Sequence, residues 1–240
     1  MMRWRRAGAT FVAVLLGLGV MALGLWQIER RAWKHELIAA VDSRITASPV
    51  QAPGPDQWRS LSRQHDAYRH VTASGTYRHD QELLVQAVTE RGGGFWVMTP
   101  LDQGSYRIWV NRGFVPSDKK AQASRAAGNP AGPVTVTGLL RITEPKGGFL
   151  RANDPAADRW FSRDIAAMSK ARAVDRAAPY FIDADGKANM GGYPIGGLTV
   201  VSFNDHHMIY ALTWFSLAAL LFYFAWRLWT SPLRQDREGA

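Results

Sequence analysis

The sequence of 240 residues contains no cysteine. This absence excludes disulfide bonds, thiol nucleophiles and cysteine-ligated copper, zinc or iron–sulfur sites within the chain. The sequence also lacks a Gly-x-Ser-x-Gly elbow, a His-Glu-x-x-His zinc motif, a phosphate-binding loop and a motif that would pair two carboxylates. We therefore expect a protein that is not an enzyme.

A concentrated basic region is missing as well. The net charge is +9, but the arginines near the two ends, set against Asp236 and Glu238, place +4 of it outside residues 28–206. The remaining +5 is spread over a long central segment in which both signs are interspersed, and no basic helix or aromatic–basic repeat is visible. The sequence therefore predicts that the protein does not bind nucleic acid.

The sequence does contain two long apolar runs. Residues 7–26 and residues 208–226 carry no formal charge, and about 20 apolar residues of helix cross the ~30 Å hydrocarbon layer of a bilayer. We therefore predict transmembrane helices at 7–27 and 208–229.

The first of these runs has an alternative interpretation as a secretory signal peptide, which also has a basic start and an apolar middle. The run is too long for a signal peptide. In addition, Trp26 and Gln27 are followed by a charged helical stretch that offers no small-residue cleavage site. We interpret the run as an uncleaved span.

Arginines flank the outer ends of both predicted spans, namely Arg3, Arg5, Arg6, Arg227, Arg234 and Arg237. The positive-inside rule then places residues 1–6 and the tail 230–240 in the cytoplasm, and residues 28–206 in the periplasm. No arginine- and serine-rich presequence precedes the first span. We therefore predict a multi-pass protein of the bacterial inner membrane, in contact with membrane lipid.

The first predicted span carries a stripe of small residues. Ala9, Ala13 and Gly17 are spaced four apart, and Gly24 follows seven residues later. Small residues at this spacing let helices approach closely in lipid. We expect this face to meet the second span.

The central segment changes in character along its length. Trp33, Leu37, Val41 and Ile45 recur every four residues and predict an amphipathic continuation of the first helix. Residues 48–55 contain three prolines and are interpreted as a linker.

From Tyr68 onward, short runs rich in valine, tyrosine and tryptophan alternate with glycine and proline. They predict strands at 68–77, 81–89, 94–101, 106–116, 133–143, 179–183 and 197–203. One helix is predicted at 159–173, with Trp160, Phe161, Ile165 and Met168 facing inward. The expected fold is an α+β membrane protein, in which two transmembrane helices flank a mainly antiparallel β sheet or open barrel with one packed helix.

Two histidines, His206 and His207, stand where the second apolar run begins. At helical pitch, His207 shares a face with Tyr210, Ala211, Trp214 and Ala218, whereas His206 points about 100° away. One interpretation is interfacial anchoring, because polar-tipped aromatic rings collect at membrane surfaces. The other is a ligand site, since an imidazole above an aromatic and small-residue stripe would suit a flat group such as a porphyrin.

Three motifs resemble those of a known family. The first contains Pro194, Gly196, Gly197, His207, Tyr210, Ala211, Thr213 and Trp214; the second contains Gly24, Trp26, Gln27, Arg30, Trp33 and Lys34; the third is Asn111-Arg112-Gly113. Together they resemble the Surfeit-locus family of cytochrome oxidase assembly factors. The sequence departs from the family pattern at three positions. His206 stands where the family has asparagine, Met208 stands where it has leucine, and Phe114 stands where it has tryptophan.

The resemblance implies an assembly factor for haem-copper oxidases of the respiratory chain, which aids insertion of haem a into oxidase subunit I. Haem a synthase is a further expected partner. Together with the histidine pair, the resemblance predicts that His207 is the axial ligand of the haem iron. His206 is the alternative ligand. Tyr210 would donate a hydrogen bond to a haem substituent, Trp214 would pack on the macrocycle, and Ala211 and Ala218 would leave space for it. The alternative function is a membrane scaffold that stabilises oxidase assembly intermediates without binding haem.

The Asn111-Arg112-Gly113 motif comes at the end of a predicted strand. Side-chain hydrogen bonds from asparagine and arginine to the backbone can hold a turn, and the glycine allows the turn itself. We therefore expect a structural role for this motif rather than a binding role.

Overall fold

The computed structural model describes residues 2–145, 151–199 and 205–231. The chain forms two compact units, one made of residues 1–40 and 202–240 and the other of residues 41–201. The helices are α1 Met2–Thr46, α2 Arg63–Asp66, α3 Ile165–Ala171 and α4 His207–Thr230. The strands are β1 Val50–Gln51, β2 His70–Tyr77, β3 Leu83–Thr89, β4 Gly92–Asp102, β5 Arg107–Pro116, β6 Pro133–Ile142 and β7 Ala177–Ala184.

Helices α1 and α4 are both long and apolar enough to cross a membrane. Helix α1 continues without a break through the predicted amphipathic stretch and ends at Thr46. It ends there because Pro49 lacks an N–H group and its ring disfavours helical backbone just before it. Residues 48–55 contain no α-helix, as their prolines predict, but the linker prediction is wrong. Strand β1 pairs with β2, and Ala52 lies in the core of the second unit.

The two helices pack where glycine lets them approach. The ring of Phe222 lies over Gly17, and the ring of Phe215 lies over Gly24, so that a Cβ atom on either glycine would collide with a ring. The predicted contact face is therefore confirmed at both glycines. Ala9, in contrast, is exposed, because eight helical residues turn it about 80° away from Gly17.

In the second unit, a seven-stranded sheet has the order β1-β2-β6-β7-β5-β4-β3. All neighbouring strands are antiparallel except the β1–β2 and β5–β7 pairs. The end of β2 also pairs with β4, through Thr76 with Asp102 and Tyr77 with Leu101. This pairing turns the predicted sheet into a barrel-like structure.

Alternating side chains of the strands build two cores. Ile108 and Val110 of β5 point into the barrel, where they join Leu140 and Tyr180. Trp109, between them in sequence, points outward and packs with α3. The period of two along a strand explains this division. Helix α3 therefore covers the outer face of the sheet, as predicted for the packed helix.

The predicted helix at 159–173 was too long, because only residues 165–171 are α-helical. Trp160 instead pairs with Val85 in a strand-like bridge, and its carbonyl accepts the N–H of Gln86 at 2.8 Å. The helix begins where the Asp164 carboxylate accepts the N–H of Ala167. Trp160, Ile165 and Met168 are buried as predicted, but Phe161 is only half-buried.

Six of the seven predicted strands are confirmed to within two residues at each end. The exception is 197–203. Its first three residues are not in a strand, and residues 200–203 lie outside the described part of the chain. Gly197 has a φ of +73°, in the left-handed region, which interrupts extended backbone at that point.

Candidate functional site

His207 is the first residue of α4, and its ring is held on one side. The side chain is half-buried, and Nδ1 lies 2.8 Å from Oε1 of Gln27 on α1. An amide oxygen can only accept a hydrogen bond, so Nδ1 carries the proton and donates it. Nε2 has no hydrogen-bond partner among residues 2–145, 151–199 and 205–231. The ring therefore presents an unprotonated nitrogen that is available to a ligand.

Asp205 fixes the start of α4. One carboxylate oxygen accepts the backbone N–H of His207 at 3.1 Å, and the other lies 2.8 Å from Nε2 of His35 and 3.6 Å from Nε of Arg31. The carboxylate thereby satisfies a helix N–H that has no partner within the helix. Burial alone raises the pKa of Asp205, but the His207 N–H and the His35 ring outweigh it and hold the pKa below its ordinary value.

The two histidines have different environments. His206 is exposed, and its ring makes no hydrogen bond within the part of the chain that the structure describes. His207, in contrast, is held by Gln27 through its ring and by Asp205 through its backbone. Only the second ring has a fixed orientation and a defined proton position.

The four residues predicted to share a face with His207 differ in their exposure. Tyr210 is 55% exposed and Trp214 is half-buried. Ala211 and Ala218 are 1% and 3% exposed, and they lie on the same side of α4 as Phe215 and Phe222, which pack on α1. The expectation that these alanines leave space for a macrocycle was therefore wrong, because the packed helices occupy that space.

In the other unit, two of the sequence motifs meet. Phe114, directly after Asn111-Arg112-Gly113, exchanges two backbone hydrogen bonds of 2.9 Å with Ile195 of the Pro194–Gly197 motif. Gly113 has a φ of +129°, and a Cβ atom there would lie 2.2 Å from the Ile195 carbonyl oxygen. The Tyr193–Pro194 peptide bond is cis. The two motifs therefore form one backbone junction.

The polar side chains of this junction are satisfied internally. Arg112 is 4% exposed and donates to the Gly128 carbonyl and, at 2.8 Å, to Asn129. Its guanidinium also lies 4.8 Å from the centre of the Tyr77 ring. Burial raises the pKa of Tyr77 to about 12, which the Arg112 charge only partly opposes.

Asp183 is the centre of a second buried network. Its carboxylate accepts from Asn111 and Arg141 at 2.8 Å each, from Arg163 at 3.2 Å and from Thr199 at 3.0 Å. The side chain is 2% exposed. Buried charges of this kind are tolerated only when they are paired and hydrogen-bonded. The structure thus places the side chains of Asn111 and Arg112 in hydrogen bonds within the β unit, and the structural role of their motif stays a prediction.

Within the part of the chain that the structure describes, no group of three or more histidine, aspartate and glutamate side chains could hold a metal ion. A protein-only metal centre therefore has no candidate there. A single histidine can still serve a prosthetic group that brings its own equatorial ligands, as haem does.

Comparison with known proteins decides the family. A family model described as the SURF1 family matches residues 14–219, which is most of the chain. The chain belongs to the SURF1 family. This family is known for cytochrome oxidase assembly, and the matched residues of this SURF1-family chain include Gln27, His207 and the junction of the two motifs.

Curated SURF1 relatives extend the match. The chain is 34% identical over 248 residues to human Surfeit locus protein 1, covering 95% of this chain and 79% of that protein. It is 36% identical over 229 residues to the mouse protein, covering 88% and 72% respectively. For the Takifugu rubripes protein the identity is 35% over 230 residues, covering 88% of this chain and 92% of that one. The similarity therefore extends over both units.

Three residues of the candidate site were not predicted from the sequence, namely Arg31, His35 and Asp205. A signal for them was present. Gln27, Arg31 and His35 are spaced four apart, which places them along one side of a helix, and Asp205 precedes the first residue of a long apolar helix, where capping acids are favoured. The role of Gln27 as the partner of His207 was not predicted either, because nothing local links positions 180 residues apart.

Proposed function

We propose that this SURF1-family protein binds haem a and aids its insertion into subunit I of a haem-copper terminal oxidase. The observation that carries the proposal is the His207 ring, whose Nδ1 is held by Gln27 while Nε2 has no partner among the described residues. A neutral imidazole nitrogen is a good axial ligand for haem iron. Membership in a family of oxidase assembly factors supports the oxidase as client.

The residues next to His207 suit such a group. Tyr210 and Trp214 follow at three and seven positions, so they lie on the same side of α4 as His207. The exposed hydroxyl of Tyr210 can donate a hydrogen bond to a haem substituent, and the indole of Trp214 can pack on the macrocycle. When bound, haem a would supply an iron atom, and Nε2 of His207 would be the nitrogen that holds it. Because Ala211 and Ala218 are buried, the contacts to the haem come from Tyr210 and Trp214.

The compartment is part of the proposal. Helices α1 and α4 span the bacterial inner membrane, with both termini in the cytoplasm and the β unit in the periplasm. The supporting observations are the length and apolar character of the two helices and the arginines near the N-terminus of α1 and near the C-terminus of α4. In this arrangement, haem a synthase delivers haem a within the membrane, and subunit I receives it there. A reporter enzyme fused at Gln103 and active only in the cytoplasm would contradict the orientation.

The test of haem binding uses the full chain co-expressed with the enzymes of haem a synthesis. The unaltered protein should be purified with a Soret absorption band. We expect His207→Ala to lose the band and His206→Ala to retain it, with both variants still inserted into the membrane. Equal loss in the two variants would indicate shared ligation, and full haem retention in His207→Ala would overturn the assignment of the ligand.

A scaffold without haem is the second candidate function. The observation that favours it is the internal pairing of Asn111 and Arg112, which supports a structural role for these motif residues. A scaffold of this kind would support oxidase assembly undiminished in the His207→Ala variant. Loss of oxidase assembly together with loss of the Soret band in that variant would decide against the scaffold.

A further inference from the structure

We infer that Gln27 is a positioning residue, which fixes the His207 imidazole in the Nδ1–H tautomer and so keeps Nε2 free to ligate iron. The part of this inference that concerns iron rests on the proposed function. The part that concerns the tautomer rests on the helix pair alone, where Nδ1 and Oε1 are 2.8 Å apart.

The packing of the helices brings the two side chains together. Gly24 is three residues before Gln27, so the two share a side of α1. The Phe215 ring lies against Gly24, and it is two helical turns beyond His207 on α4. This close approach places the half-buried Gln27 amide beside the first turn of α4.

The hydrogen bond between Gln27 and His207 determines which ring nitrogen of His207 carries the proton. A neutral imidazole carries one N–H, and the hydrogen bond made by one ring nitrogen determines which nitrogen keeps it. The Gln27 oxygen accepts the Nδ1 proton, so Nε2 keeps its lone pair. A hydrogen bond at the far nitrogen also orients a ligating imidazole and raises its basicity.

The acceptor is an amide although a carboxylate lies nearby. Asp205 is occupied by the backbone N–H of His207, by His35 and by Arg31, and it makes no hydrogen bond to the His207 ring. An amide polarises the ring less than a carboxylate would, because it carries no charge. His207 would therefore ligate as a neutral imidazole.

The test of the tautomer uses the apoprotein, with its full chain in detergent micelles and ¹⁵N-labelled histidine. Long-range ¹H–¹⁵N correlation spectra at about pH 8.5, two units above the ordinary histidine pKa, distinguish the two neutral tautomers. The His207→Ala variant identifies the signals of His207. The variants are Gln27→Leu, which removes the acceptor, and Gln27→Glu, which keeps it. Glu29→Leu, an exposed position on the same helix, is the matched control.

We expect the Nδ1–H form of His207 in the unaltered protein, in Gln27→Glu and in Glu29→Leu. In Gln27→Leu the ring should move to the Nε2–H form or to a mixture of the two. An Nε2–H form in the unaltered protein would overturn the inference. So would a His207 tautomer that is the same in Gln27→Leu as in the unaltered protein.

A titration of the same variants with haem a tests the link to ligation. Gln27→Leu should bind about 10- to 100-fold more weakly, and Gln27→Glu should bind at least as tightly as the unaltered protein. Unchanged affinity in a Gln27→Leu variant that has lost the tautomer would overturn the link while leaving haem binding itself intact. Undiminished haem binding by His207→Ala would instead overturn the proposed ligand while the tautomer assignment stands, so the two failures can be told apart.

Discussion

The β unit and the helix pair use polar side chains in opposite ways. In the β unit, buried charges bind one another, as in the network of Asp183 with Arg141 and Arg163. In the helix pair, the His207 ring is held by Gln27 and keeps one nitrogen without a partner among the described residues. The polar side chains of the first region bind one another, whereas Gln27 and His207 belong to the site that we propose binds haem.

The β unit and the helix pair also differ in what surrounds their glycines. Gly113 is required because a carbonyl oxygen of the neighbouring chain segment occupies the place of its side chain. Gly24 is required because an aromatic ring of the neighbouring helix does so. A carbonyl oxygen held by the two hydrogen bonds of the Phe114–Ile195 bridge moves less readily than a ring, which can rotate. The β unit should therefore tolerate substitution less than the helix pair.

The largest expected effect comes from the Asp183→Ala substitution. It removes a buried carboxylate that the half-buried Arg141 and Arg163 share and leaves them only Glu144 among the described acidic residues, and removing one partner of a buried ion pair costs about 3 to 5 kcal/mol. The free energy of unfolding, measured by urea titration of the full chain in detergent, should fall by that amount. The exposed Asp118→Ala is the control, expected to change stability by less than about 0.5 kcal/mol. A loss in Asp183→Ala no greater than in the control would mean that the network does not stabilise the fold.

A smaller effect is expected for Gly113→Ala. The new methyl group would collide with the Ile195 carbonyl at a φ of +129°, and backbone strain together with overpacking costs about 2 to 3 kcal/mol. The same urea titration measures it. Gly93→Ala is the matched control, because a Cβ atom at Gly93 meets nothing within 4 Å. Equal stability of the two variants would contradict the proposed junction of the two motifs.

The smallest effect is expected for Gly24→Leu in the helix pair. The Phe215 ring must move to admit the new side chain, and overpacking of this kind costs about 1 to 2 kcal/mol. Unfolding by SDS titration in mixed micelles, followed by tryptophan fluorescence, measures the loss. Gly19→Leu, where a Cβ atom meets nothing within 4 Å, should leave the titration unchanged. A larger loss for Gly24→Leu than for Gly113→Ala would reverse the comparison of the two units.

The sequence by itself determined the local elements of this protein. Two uncharged apolar runs predict helices α1 and α4, and alternating runs bounded by glycine and proline predict six strands, because both patterns are periodic within a short window. The position of His207 at the start of α4 also follows from its sequence. The predicted helix at 159–173 failed for a reason outside that window, since Trp160 is held by the backbone of β3.

Only the tertiary structure decided which residues meet. The pairing of β2 with β4, the junction of Gly113 with Ile195 and the hydrogen bond from His207 to Gln27 join positions far apart in the chain. Such contacts depend on strand register and on the side by which two helices pack. Local periodicity carries no information about either partner. For that reason the sequence pointed to the histidine, and only the fold revealed which atom holds its proton.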